Sequence, residues 1–161
     1  MESSPQGSSE IGSHLAIIFV TVANLIFIVF FHRYIAWYTI EPDGGVTRLS
    51  VLTDGYFTWL PIPIVASIVA IAAYTLMIFY DRFWFRMIAE IVVLIFGVAV
   101  VVSLVSIFPF DFSVIPNDTA ADVAPTVLTA FLLLMVVVYV VTAIVLFVRL
   151  VRRYAVKQEV G

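Results

Sequence analysis

Between Glu90 and Asp111 the chain reads IVVLIFGVAVVVSLVSIFPF, twenty residues without a charge. An unpaired charge at bilayer depth is expensive and a helix needs about 20 apolar residues to cross the hydrocarbon, so the stretch predicts a transmembrane helix. Outward from it lie three more uncharged intervals of at least that length: Glu10 to Arg33, Asp54 to Asp81 and Asp122 to Arg149. The composition of the 161 residues agrees, with 63% hydrophobic and 12% charged side chains, where a soluble domain carries about 25% charged. No segment outside the four intervals is long enough to bury a core of its own. The expected fold is therefore an all-α integral membrane four-transmembrane-helix bundle.

The helices are predicted at about 14–37, 60–80, 87–110 and 125–148. Pro61 and Pro63 fit the first turn of the second helix and Pro125 the first turn of the fourth, where a missing N–H costs little. Asp122 is the predicted N-cap of the fourth helix. The link Tyr80-Asp81-Arg82-Phe83-Trp84-Phe85-Arg86 is so short that helices two and three must be antiparallel neighbours.

Sidedness follows from the basic residues close to the span ends. Arg82, Arg86, Arg149, Arg152, Arg153 and Lys157 flank one face, and only Arg33 and Arg48 the other. The expectation is a multi-pass cell-membrane protein with both termini and the tight link cytoplasmic, and loops 38–59 and 111–124 outside. Trp37, Tyr38, Tyr56 and Trp59 would form an outer aromatic belt, and Tyr80, Phe83, Trp84 and Tyr154 an inner one. Residues 1–13 are Ser-rich and lack the basic region of a cleavable signal, so they read as a flexible tail ahead of a retained first helix. Residues 149–161 read as a basic cytoplasmic tail.

One segment has the grammar of strands. In Tyr38 to Val51, two β-leaning runs flank Pro42-Asp43-Gly44-Gly45, a strong turn sequence, which predicts a short β-hairpin between helices one and two. Either it closes the outer mouth of the bundle as a lid or it offers a surface to a partner.

Polar groups inside the membrane are few, and each is a candidate functional residue. Asn24, Tyr74, Tyr139 and Thr142 form a candidate intramembrane polar patch, in which Asn24 and Tyr139 are expected to share one depth and pair across helices one and four. Glu90, about one turn inside helix three, is read as an interfacial carboxylate paired with Arg86, four residues earlier on the same face. His32, Asp54 and Asp111 form a candidate outer acidic rim, with Glu41, Asp43, Asp118 and Asp122 adding negative charge around it.

Cysteine is absent, which removes disulfides, thiolate chemistry and Cys-ligated zinc. His14 and His32 are 18 residues apart on one helix, about 27 Å, too far to ligate one haem. No nucleophile–base pair or phosphate loop stands out, so no catalytic site, cofactor or metal is expected and no nucleic-acid partner either. Two function classes remain: an accessory, assembly or scaffold subunit of a membrane complex, associating with other subunits or with itself, and an oligomeric ion channel or small transporter with an acidic outer vestibule.

Overall fold

A computed structural model describes residues 6–41, 43–80 and 82–159. The chain is mostly helical, and four of its helices are long and apolar enough to cross a membrane. In order, α1 (Gln6–Ile26) continues through a π-helical segment (Phe27–Phe31) and a 3-10 turn (His32–Tyr34) into β1 (Ala36–Ile40) and β2 (Val46–Ser50). Then come a short α2 (Gly55–Trp59), α3 (Pro61–Phe79), α4 (Phe83–Ile107) and α5 (Asp118–Glu159).

The helices that pack are α1 on α3, α3 on α4, and α4 on α5, and no comparable packing joins α1 to α5. The array is thus a row of sequence neighbours, with α3 between α1 and α4. Several of its buried side chains are small or flexible, among them Ala70 and Met77 on α3 and Met87 and Ala89 on α4. Lipid is as apolar as leucine, so helices gain by close backbone approach, which small residues permit and methionine gaps fill. Gly97 serves the α4–α5 contact directly, since a β-carbon there would stand 3.2 Å from Cε2 of Tyr139.

Several helix ends differ from the sequence reading. Helix one begins by Gln6, inside the segment read as a flexible tail, and its regular turns stop at Ile26. Trp37, placed in helix one, lies in β1 instead. Helix three starts at Phe83 and ends where Phe108 takes a left-handed conformation, φ 42°, ahead of the fully buried Pro109. Phe108 is held there by its neighbours, with ring centroids 5.7 Å from Phe110 and 6.3 Å from Phe112.

The fourth helix is the largest correction. It begins at Asp118, seven residues before Pro125, and the proline sits inside it. The cap is Asn117, not Asp122: its Oδ1 accepts the Ala120 N–H at 3.0 Å, the third residue of the helix, as an N-cap does. Pro125 removes one backbone donor, a loss near the first turns that the long apolar run beyond it outweighs. The helix continues through the basic segment to Glu159.

The hairpin forms in the predicted place, antiparallel, with Trp37 opposite Leu49 and Ile40 opposite Val46. Pro42 lies outside the described residues, and so does Asp81 of the tight link. Gly44 supplies the positive φ of 84° that the turn needs, and Glu41 N–H closes it on the Gly45 carbonyl at 2.7 Å. The hairpin is no lid. Every described residue from Trp37 to Ser50 is exposed, including Ile40 at 78%. What closes this end is the segment after it: Leu52 bridges Phe110, Thr53 N–H donates to the Pro109 carbonyl at 3.0 Å, and Asp111 N–H to the Val51 carbonyl at 2.7 Å.

Candidate functional site

At the hairpin end the aromatic side chains read as an outer belt divide into two groups. Tyr56 and Trp59 are buried and act as bolts between helices. The Tyr56 hydroxyl donates to the Ile28 carbonyl at 2.5 Å and the Trp59 indole N–H to the Val100 carbonyl at 3.2 Å. Ile28 lies in the π-helical segment, where the regular ladder of hydrogen bonds is interrupted and carbonyls are open to side-chain partners. The next carbonyl, Val29, is bonded to Nδ1 of His32 at 2.9 Å.

His32 is therefore part of this bolt and not of an acidic rim. Its ring stacks on Tyr56 at 5.2 Å and meets Phe57 edge-on at 5.5 Å. Asp54 is exposed at the start of α2 and makes no side-chain cap bond. Asp111 is engaged by its own loop, where Oδ1 accepts the Ser113 N–H at 2.9 Å and the Ser113 hydroxyl at 2.6 Å. These two bonds favour the ionised form and hold the Asp111 carboxyl below the usual carboxylate range. Among the described residues, no three His, Asp or Glu side chains are grouped to hold a metal ion.

The proposed polar patch does not assemble. Asn24 is exposed on α1. Thr142 is exposed too, and its hydroxyl returns to the Val138 carbonyl of its own helix at 2.7 Å. Tyr139 packs over Gly97 in the α4–α5 contact. Pairing Asn24 with Tyr139 would require α1 and α5 to be neighbours, and the row keeps them apart. Depth alone predicted that pair; the missing information was the order of the helices.

Tyr74 belongs to a different group, at the end of the array that carries the tight link. Its ring centroid lies 5.7 Å from that of His14 on α1, tilted by 39°. Glu90 lies on α4, the helix that packs against α3. His14 is 7% exposed, and among the described residues its Nδ1 has no hydrogen-bond partner. Such an atom in a low-dielectric interior is costly, because burial removes water without replacing it. No family model, curated protein or solved structure matches the chain. What the group does must be argued from its own chemistry.

Glu90 is also deeper than the sequence suggests. With α4 starting at Phe83 it lies seven residues, about 10 Å, from the helix start, and is half-buried. Arg86 remains one turn earlier on the same face. Tyr74 is five residues, about 8 Å, from the end of α3, and His14 eight residues, about 12 Å, from the start of α1. Three successive antiparallel helices thus each contribute one ionisable side chain at similar depth.

A second space lies among the apolar side chains of the hairpin end. A cleft of about 520 Å³ is lined by Ile35, Val51, Phe110, Phe112, Val127 and Phe131. Its walls offer almost no polar group to orient a polar ligand, and it suits hydrocarbon.

Proposed function

We propose that the chain is a non-catalytic accessory or scaffold subunit of a membrane complex, engaging its neighbour through the β1–β2 hairpin. The observation that carries this reading is the exposure of the hairpin on both faces, with Tyr38, Ile40 and Val46 on one and Trp37 and Leu49 on the other. A two-stranded hairpin is marginal in water by itself, and its apolar pairs gain most when a partner covers them. The hairpin is also tethered firmly enough to present a surface. Its base is held by the Arg48 side chain on the Arg33 carbonyl and by Val51 N–H on the Ile35 carbonyl at 3.4 Å.

In this reading the hairpin faces the outside of a cell membrane and both termini face the cytoplasm, as the six-to-two distribution of basic residues favours. The chain contains no cysteine, so sidedness can be read from single introduced ones: Gly45→Cys labels from outside intact cells and Gln158→Cys does not. The reverse pattern overturns the orientation.

The functional test is extraction in mild detergent followed by sizing. A stoichiometric larger complex is expected from the native chain, and its loss from the double variant Trp37→Ser, Leu49→Ser with the helices still folded. A second reading, a small transporter or channel that works as an oligomer behind an acidic outer vestibule, is favoured by the ionisable side chains gathered on α1, α3 and α4. A homo-oligomer unaffected by the hairpin substitutions supports it over the first.

A further inference from the structure

We infer that the seam between α4 and α5 at the link end binds the phosphate of one acidic membrane phospholipid, held by Arg149 and Arg153, with Arg86 adding positive charge from the facing helix. The inference does not depend on what the hairpin binds.

The first observation is the register of the two helices. Gly97 meets Tyr139 in the α4–α5 contact, and nearer the link the Arg153 guanidinium lies 3.7 Å over the Phe83 ring. Phe83 and Arg153 are each about 21 Å along their helices from the first contact, so the antiparallel pair stays level over that length. Arg86 is about 16 Å from Gly97 and Arg149 about 15 Å from Tyr139, which puts them at one level on facing helices. Arg86 is also three turns from Gly97, and so returns to the stripe of α4 that faces α5.

The second is uncompensated charge. Arg149, Arg152 and Arg153 are exposed, and α5 carries no acid between Asp122 and Glu159. The acid of α4 is Glu90, one turn deeper than Arg86, and Arg86 is already engaged within the protein. The site therefore draws on the charge of Arg86 and not on spare donors. The Phe83 ring holds the Arg153 side chain in place, but a ring has no net charge and leaves the guanidinium positive. An anion seated across this seam relieves the repulsion, and a phosphate suits it because guanidinium groups grip two of its oxygens at once.

The third separates a lipid from a free anion. Positions 153, 149, 145 and 141 follow one another at one-turn steps along α5, and they read Arg, Arg, Val, Val. All four are exposed, with Val145 at 43% and Val141 at 53%. The row passes from charge to hydrocarbon in about 6 Å, as a phospholipid does from its phosphate to its chains. Exposed Tyr80, Phe83 and Trp84 stand at the same end, in the manner of side chains that settle at the headgroup level. The ligand is acidic, because a choline headgroup would bring its own cation against the arginines.

The experiment is native mass spectrometry of the full-length protein in detergent, titrated with phosphatidylglycerol or with phosphatidylcholine of the same acyl chains. One phosphatidylglycerol is expected to bind at least fivefold more tightly than phosphatidylcholine, and a smaller preference overturns the inference without any variant having to fold. Arg149→Gln is expected to weaken that binding about fivefold, the effect of one basic residue at an anionic headgroup. Arg152→Gln removes the same charge about 100° around the helix from Arg153, and should change it less than twofold. Equal losses from the two variants show a diffuse attraction and overturn the site. Displacement of the lipid by millimolar inorganic phosphate overturns it too, in favour of a free anion.

Discussion

At the hairpin end, Tyr56 and Trp59 each reach across to a backbone carbonyl of a neighbouring helix, while at the link end His14 and Tyr74 meet ring to ring and Nδ1 of His14 has no hydrogen-bond partner among the described residues. The contrast separates two uses of polar groups in a membrane. A neutral donor bonded to a carbonyl is satisfied and stays so at any ordinary pH, which suits it to holding helices together. An ionisable group with an open valence does little for stability, yet it responds to the medium. Function is therefore sought where satisfaction fails.

The largest effect expected from breaking this contrast is at Trp59. Trp59→Ala removes a buried indole and its bond to the Val100 carbonyl, and a loss of about 3–5 kcal/mol is expected, the usual range for truncating a buried large aromatic. Thermal unfolding in detergent, followed by the loss of the monodisperse sizing peak, measures it. Tyr56→Phe is a finer probe: it keeps the ring against His32 and removes only the hydroxyl. It should cost about 1 kcal/mol, the scale of one interhelical hydrogen bond. Equal losses from the conservative link-end variants Tyr74→Phe and Glu90→Gln would erase the distinction between the two ends.

The smallest effect is confined to a loop. Hydrogen bonds from Ser113 hold the Asp111 carboxyl below the usual carboxylate range. A group whose folded value is depressed contributes above its unfolded value, and the contribution is lost as pH falls through the folded one. The protection of the Ser113 amide, measured against its intrinsic exchange rate at each pH, should accordingly fall as the pH drops below the ordinary carboxylate range. Ser113→Ala, which removes the hydroxyl donor, should shift that onset upward. Because the group is exposed, the array itself should be indifferent to the change.

The spans were legible because a charge inside hydrocarbon is so costly that Glu90, Asp111 and their counterparts bound one uncharged interval for each spanning helix. The hairpin was legible because Asp43, Gly44 and Gly45 leave the backbone few other choices. Helix ends were harder. Pro125 looks like a start signal, but a long helix tolerates one lost donor, and the cap that sets the start is Asn117, six residues before the uncharged run begins at Val123. The link-end site was hidden by the same error. With helix one begun at His14 and helix three at Met87, the histidine falls at a boundary and the glutamate one turn in. Their true starts at Gln6 and Phe83 bring both to the depth of Tyr74. The available signal was the innermost ionisable side chain on each of three successive antiparallel helices, and it becomes readable once the order of packing is known.

The length of α5 has a mechanical consequence. Forty-two residues at 1.5 Å each make a rod of about 63 Å, roughly twice the hydrocarbon thickness. The rod projects beyond the helices it rests on and ends in the basic residues Arg149, Arg152 and Arg153, the last with its guanidinium 3.7 Å above the Phe83 ring at the start of α4. A stiff rod gripped at Gly97 behaves as a lever with its fulcrum inside the bilayer. A rocking of 10°, well within the range of tilts that membrane helices adopt, would swing the arm of about 21 Å between Tyr139 and Arg153 by roughly 4 Å. That is enough to lift Arg153 off its aromatic seat, so a push on the loop before Asp118 would be felt as a displaced positive charge on the opposite side of the membrane.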